Sequence, residues 1–235
     1  MGKLSIVSTP IGNLEDITLR AIKVLGSVDV VACEDTRKTG ILLSKISNSQ
    51  FPITNSKARP KLLSYFEGNE ERRIPQIISL LKQGKDVALV SNAGTPLVSD
   101  PGFKLVRECI KEGIKIEPIP GPSAVLTALV SSGLPTDKFL FLGYLPKRKG
   151  KREKILRGCT SIFRIIEVAV ILFESPHRLL QTLKEIKTIL GDVEIVICRE
   201  LTKMHEEIKR GKITEMIKHY REKAPKGEVT VLFRK

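Results

Sequence analysis

Apolar residues along the chain fall into short continuous runs of strand length, separated by stretches in which they recur every three or four positions. Strand-like runs cover 3–8, 28–33, 61–66, 87–90 and 115–119, and helical spacing covers 17–25, 39–46, the region around 75–81, and 103–112. Five strand-length runs with interleaved helices predict a mostly parallel sheet covered on both faces, because a crossover helix must carry the chain back before each new parallel strand. After Pro120-Gly121-Pro122-Ser123 the alternation resumes less regularly: a helix over 124–130 closed by Gly133, strands over 139–145, 168–173, 194–198 and 228–233, and helices ending at Leu190 and covering 213–223. The pattern predicts an α/β protein of two α/β domains, 1–118 and 119–235, with mostly parallel or mixed sheets. The polar stretch 47–60, aperiodic and with two prolines, is a candidate lid.

Composition narrows the picture. A 235-residue chain that is 41% hydrophobic and 28% charged can build a real core, and its strongest apolar run, 168–173, is far too short to span a membrane. The N-terminus enters a strand pattern directly, without a signal peptide, so a cytoplasmic protein is expected. Cys33, Cys109, Cys159 and Cys198 are far apart and show no C-x-x-C pairing, which predicts buried reduced thiols rather than a disulfide or zinc. His177, His205 and His219 are scattered and form no metal constellation.

Charge changes the picture more. The net charge is +14, with 17 Lys+Arg against 13 Asp+Glu in 1–118 but 23 against 13 in 119–235. Such a surface suits a polyanion, since Lys and Arg contacts to phosphates release counterions; a merely solvated basic surface is the alternative. The densest run is 147–157, where Lys147, Arg148, Lys149, Lys151 and Arg152 are the expected RNA-backbone contacts, followed by Lys154 and Arg157. Aromatics at 5%, with no Trp, argue against a base-stacking single-strand platform.

The chemistry is concentrated where strands end. The run 87–90 breaks into Gly94-Thr95-Pro96, a loop in which the backbone can approach a ligand and Thr95 is kept extended. Asp100 before Pro101 reads as a helix N-cap. Thr9-Pro10, Gly121-Pro122-Ser123 and Ser175-Pro176 repeat the same strand-to-helix design, and in parallel sheets such junctions lie at the ligand-binding edge. Glu34-Asp35 and Arg199-Glu200 also follow strands; they serve as acid–base groups or as ion pairs with Arg37 and Lys203. Neither G-x-G-x-x-G nor G-x-x-x-x-G-K-[ST] occurs, and no Ser-His-Asp arrangement is legible.

Six motifs in order, from Ser8-Thr9-Pro10-Ile11-Gly12-Asn13 through Cys33-Glu34-Asp35-Thr36-Arg37, Ala93-Gly94-Thr95-Pro96 with Ser99-Asp100-Pro101-Gly102, Pro120-Gly121-Pro122-Ser123-Ala124 and Glu174-Ser175-Pro176-His177-Arg178 to Arg199-Glu200-Leu201-Thr202-Lys203, resemble the bacterial small-subunit ribosomal RNA 2′-O-methyltransferase I family of the tetrapyrrole methylase superfamily. The resemblance implies a two-domain α/β homodimer with S-adenosylmethionine in an interdomain cleft; a sulfonium methyl donor needs no metal, only an in-line approach. It implies methylation of the ribose of a cytidine in the decoding centre of 16S rRNA, within the small ribosomal subunit. Carried over, the cofactor contacts are Gly94, Thr95, Pro96, Val98, Ser123, Ala124 and Phe173. Glu34, Asp35 and Glu200 are the candidates for a base acting on the 2′-hydroxyl. The chain departs from the family pattern at Asn92, where Asp is usual, at Phe66 and Gly68, where His is common, and in the spacing over 161–167. A precorrin-type tetrapyrrole methyltransferase and a non-catalytic basic RNA-binding protein are the alternatives; the first predicts no RNA affinity.

Overall fold

The computed structural model describes residues 1–47 and 59–235, so the candidate lid, apart from Ser47, Arg59 and Pro60, lies outside the described residues. The chain divides into two units, Met1–Ser123 and Ala124–Lys235.

In the first unit the strands are β1 (Leu4–Val7), β2 (Val30–Cys33), β3 (Lys61–Ser64), β4 (Val87–Val90) and β5 (Ile116–Ile119). The helices are α1 (Leu19–Leu25), α2 (Thr36–Ser47), α3 (Glu70–Lys82) and α4 (Phe103–Lys111). The strands form one sheet in the order β3-β2-β4-β1-β5, every neighbouring pair parallel, as the alternation of strands with helices predicts. Alternate residues of each strand supply the two cores. Leu4, Val30, Ala32, Val87 and Leu89 pack with Ile77 and Leu81 of α3 and Leu105 of α4, while Val7, Val31, Cys33, Ala88 and Val90 pack with Leu25 of α1 and Leu43 of α2.

Helix starts show where local signals were misread. Thr18, inside the helical spacing read over 17–25, instead caps α1, its Oγ1 accepting from the Ala21 N–H at 3.1 Å. Asp100 is not a cap. The N-cap of α4 is Gly102, whose N–H donates to the buried Glu70 carboxylate at 3.1 Å. α3 begins at Glu70, with Pro75 inside it rather than at its start. Ile119 pairs with Val7 of β1, so the first unit runs to Ser123 instead of ending at 118.

The second unit contains the strands β6 (Phe139–Tyr144), β7 (Ala169–Glu174), β8 (Glu194–Arg199), β9 (Glu207–Lys212) and β10 (Val229–Arg234). Its helices are α5 (Ala124–Ser132), α6 (Lys149–Phe163), α7 (Pro176–Leu190) and α8 (Ile213–Glu222). The sheet order is β6-β7-β10-β8-β9, with β6–β7 parallel and the other pairs antiparallel, a mixed sheet. Two elements here were not read from the sequence. β9, Glu-Ile-Lys-Arg-Gly-Lys, lacks apolar alternation because it is the edge strand, where charged side chains deter further pairing. α6 takes up the basic run, and its Leu156 and Cys159 join the core formed with Leu172, Leu179, Leu183 and Phe233. Among the described residues no helix is long and apolar enough to cross a membrane. The four cysteines are buried thiols.

Candidate functional site

Because all strands of the first sheet run the same way, their carboxyl ends share one edge, and β4-β1-β5 adjacency brings three of the strand-to-helix loops together. Thr9 and Gly94 exchange both backbone hydrogen bonds, each 2.9 Å. The Ser8 hydroxyl donates to Thr95 Oγ1 at 3.1 Å, and Thr95 Oγ1 donates to the Pro122 carbonyl at 3.1 Å. The three loops are thus tied by their own short polar groups. Close approach requires the glycines: Gly94 has φ +77°, where a side chain is strained, and a Cβ on Gly121 would lie 2.9 Å from Ser8 Cβ. Beside them Leu97 and Ser99 have positive φ of 72° and 67°, local strain of the kind that gathers at ligand-binding loops. Thr9 Oγ1 is buried and has no hydrogen-bond partner among the described residues.

Of the residues expected to hold a cofactor, Gly94 and Pro96 are buried in this interlock, Thr95 is half-buried at its centre, Val98 is exposed, and Ser123 follows Pro122 directly. Ala124 and Phe173 belong to the second unit, where Phe173 closes β7 and packs edge-on against Phe141 at 5.0 Å and beside Tyr144 at 5.7 Å.

A second feature lies at the ends of β2, β3 and β4: a cavity of about 470 Å³ lined by Glu34, Asp35, Thr36, Arg37, Ser64, Phe66 and Asn92. Within it Asp35 is held by Arg37, whose Nε and Nη2 donate to its two oxygens at 3.2 and 3.0 Å while the Arg37 N–H donates at 2.9 Å. These bonds lower its pKa to about 2. Asp100, which sequence reasoning had reduced to a cap, responds to Glu34: burial first and the Glu34 charge second push its carboxyl up to about 6, against a hydrogen bond from Ser91. Glu200, in the second unit with φ 51°, accepts from Lys203 Nζ at 2.9 Å and from the Glu228 N–H at 2.8 Å. Those partners hold it below the usual carboxylate range, so it ties the end of β8 to the start of β10. Asp35 and Glu200 have therefore formed the two ion pairs that their sequence context offered, which makes them poor proton acceptors at neutral pH.

The basic run requires one correction. Lys147, Arg148, Lys149 and Lys151 are exposed, but Arg152 is buried. Its Nε and Nη2 donate to the Glu185 carboxylate at 2.7 and 2.6 Å and its Nη1 to the carbonyls of Pro146 and Lys147. Arg152 lies on the same face as Leu156 and Cys159, at helical spacing, and its charge is already neutralised inside the unit, so it is withdrawn as an RNA contact. Glu174 was likewise a motif residue without a role. It is buried and accepts from the Ser175 N–H at 2.8 Å and the Thr182 hydroxyl at 2.6 Å, fixing the first turns of α7.

Comparison with known proteins places this architecture. The family model for tetrapyrrole (corrin/porphyrin) methylases matches residues 3–217. The ribosomal RNA small subunit methyltransferase I of Thermotoga maritima is 49% identical over 232 residues, covering 99% of this chain and 98% of that protein. The protein of the same name from Escherichia coli O157:H7 is 42% identical over 238 residues, covering 98% and 77%. Among solved structures, the methyltransferase CobJ has a TM-score of 0.71 at 16% identity, covering 100% of this chain and 94% of that one. Uroporphyrin-III C-methyltransferase from Thermus thermophilus, complexed with S-adenosyl homocysteine, has a TM-score of 0.66 at 18% identity, covering 98% and 97%. The structural likenesses establish the fold; together with the relatives' identity over nearly the whole chain, they show that this protein belongs to the tetrapyrrole methylase family and, within it, to the ribosomal RNA small subunit methyltransferase I group.

Proposed function

We propose that the protein methylates small-subunit ribosomal RNA with S-adenosylmethionine as methyl donor, the acceptor being the ribose 2′-oxygen of a decoding-centre cytidine in 16S rRNA. The observation that carries the reading is the interlock of the loops after β1, β4 and β5, in a chain 49% identical to a ribosomal RNA small subunit methyltransferase I. The residues present fit the donor. Gly94 lets the loops close up, Thr95 and Ser123 offer backbone groups beside it, the Gly121 approach leaves no side chain in the way, and the buried Thr9 hydroxyl is a polar group still to be satisfied. Pro96 and Val98 flank that bed, while Ala124 and Phe173 enter the proposal on the family resemblance alone. The bound donor supplies an electrophilic methyl group on a sulfonium. The chain's own task is then positional: holding the ribose oxygen in line, which can account for several kcal/mol of the barrier. Glu34, which lines the cavity beside the paired Asp35, is the residue we assign to accept the 2′-hydroxyl proton on its carboxylate. Exposed Lys147, Arg148, Lys149 and Lys151 would grip RNA phosphates. A cytoplasmic homodimer accords with this reading.

Calorimetry with S-adenosylmethionine, followed by incubation with small subunits lacking the modification and nucleoside analysis of the product, tests it. Cofactor binding and a 2′-O-methylcytidine are expected. No cofactor binding up to millimolar concentration would leave a non-catalytic RNA-binding protein, and methylation of a tetrapyrrole without RNA affinity would favour the precorrin-type reading.

A further inference from the structure

Phe66 is the unusual member of the cavity at the ends of β2, β3 and β4. It is an aromatic side chain left 43% exposed in a chain with few aromatics. Its backbone is clamped on both sides by Asn69, whose Oδ1 accepts from the Phe66 N–H at 2.9 Å and whose own N–H donates to the Phe66 carbonyl at 2.9 Å. Asn69 is in turn anchored to the end of β3 through its amide, which donates to the Ser64 carbonyl at 3.2 Å. The ring rests over Gly68, where a Cβ would come within 2.8 Å of its Cε2. The backbone that carries this apolar ring is therefore pinned at the mouth of a polar cavity while the ring stays open to solvent, an arrangement that gains nothing for the core. It does suit stacking, because an exposed aromatic face gains apolar contact when a flat ligand covers it.

The polar lining selects among flat ligands. The carboxyl groups of Glu34 and Asp35 line the cavity, and Arg37 is already paired with Asp35, so the lining offers a phosphate little. Asn92 and Ser64 both donate and accept. Arg37, paired with Asp35 through Nε and Nη2 and with its side chain 87% exposed, is a cation at the rim that a backbone phosphate outside the cavity could meet. An apolar face, mixed donors and acceptors, and acceptor-rich walls match the edge of a nucleobase.

We propose that this cavity receives the base of the target nucleotide, unstacked from the RNA, with its face on Phe66 and its edge on Asn92. The inference rests on the ribosomal RNA reading above and deepens it. It gives the first unit a stacking residue that the low aromatic content had argued against, and it gives Phe66, Gly68 and Asn92, three of the departures from the family pattern, a common purpose.

The test measures methylation kinetics on assembled small subunits lacking the modification, together with cofactor calorimetry and thermal melting, for the parent, Phe66→Leu, Phe66→Tyr and Asn92→Ala. Leucine keeps apolar bulk but has no face to stack on, so Phe66→Leu should lower kcat/KM by about tenfold, mostly through KM. Phe66→Tyr should stay within about twofold, and Asn92→Ala should lose severalfold, all with unchanged cofactor affinity and melting temperature. Parental kcat/KM in Phe66→Leu would overturn the proposal. So would an equal loss in Phe66→Tyr, or a loss matched by a fallen melting temperature, either of which makes the ring a structural support. If the parent binds no cofactor and methylates no RNA, the underlying reading fails, visibly and separately, and takes this one with it.

Discussion

At the scale of single residues, the structure turns three carboxylates of similar sequence context into different chemical objects. Asp35 and Glu200 are held ionised by Arg37 and Lys203, whereas Asp100 is pushed up to about 6 by burial and by Glu34. The ion pairs were legible, since the partners stand two and three residues away; the Glu34–Asp100 approach was not, because it joins the ends of β2 and β4 across the sheet. The raised value carries a sign. Folded Asp100 binds a proton that the unfolded chain has released, so its contribution is complete below about pH 4 and is lost as pH rises through about 6. Asp100→Asn removes that slope. Urea midpoints should therefore fall for the parent between about pH 5 and pH 7.5 by the equivalent of about 1 kcal/mol more than for the variant, after discounting for partial exposure. Parallel curves would place Asp100 in water. Thr95 allows a second test. Thr95→Val keeps the shape but removes the hydroxyl that bridges Ser8 and Pro122, costing about 1–2 kcal/mol of stability, while Thr95→Asp puts a charge into the interlock and should abolish cofactor binding by calorimetry. Gly94→Val is a poorer probe than sequence alone suggests, because φ +77° makes it a backbone lesion as well.

At the scale of elements, what the sequence showed depended on whether an element buries apolar residues at its own period. The central strands β1, β2 and β4 do so on both faces, and all five first-unit strands are legible to within about two residues, β4 without error. α6 and β9 escaped for opposite reasons. β9 is a charged edge strand, and α6 presents one buried stripe behind four exposed cations, with an arginine where an apolar residue would have announced the helix. Arg152 and Glu185 therefore carry a testable cost. Removing the guanidinium in Arg152→Met leaves a carboxylate unpaired in the interior, which should destabilise the protein by about 3–5 kcal/mol in urea unfolding. Arg152→Met combined with Glu185→Leu removes both charges and should recover most of that loss. A single variant as stable as the parent would mean that water reaches Glu185 freely, against its burial.

At the scale of the whole molecule, composition suits a polyanion partner or a merely solvated basic surface and does not pick out the residues that would meet a partner. The +14 charge marks the chain as basic, yet the burial of Arg152 shows that a run of cations in sequence is not the same as a charged surface. The surface version of the run is Lys147, Arg148, Lys149 and Lys151, exposed where β6 leads into α6, with Lys149 near enough to Glu153, at 3.8 Å, for part of its charge to be offset. If these four grip RNA backbone, replacing them with Ser while keeping Arg152 removes up to four phosphate contacts. Filter binding to small subunits at several salt concentrations should then show weaker binding and a log–log slope flatter by roughly 0.7–0.9 per lost contact. Lys149 should count for least. Because Arg152 stays paired with Glu185, the fold of the second unit should be that of the parent, and the melting temperature checks this independently. Cofactor affinity should also hold, as none of the four belongs to the Ser8–Thr95–Pro122 interlock. Equal slopes for the parent and the fourfold variant would make this face an ordinary solvated one and move the RNA contact to the other basic stretch of the second unit, 203–212.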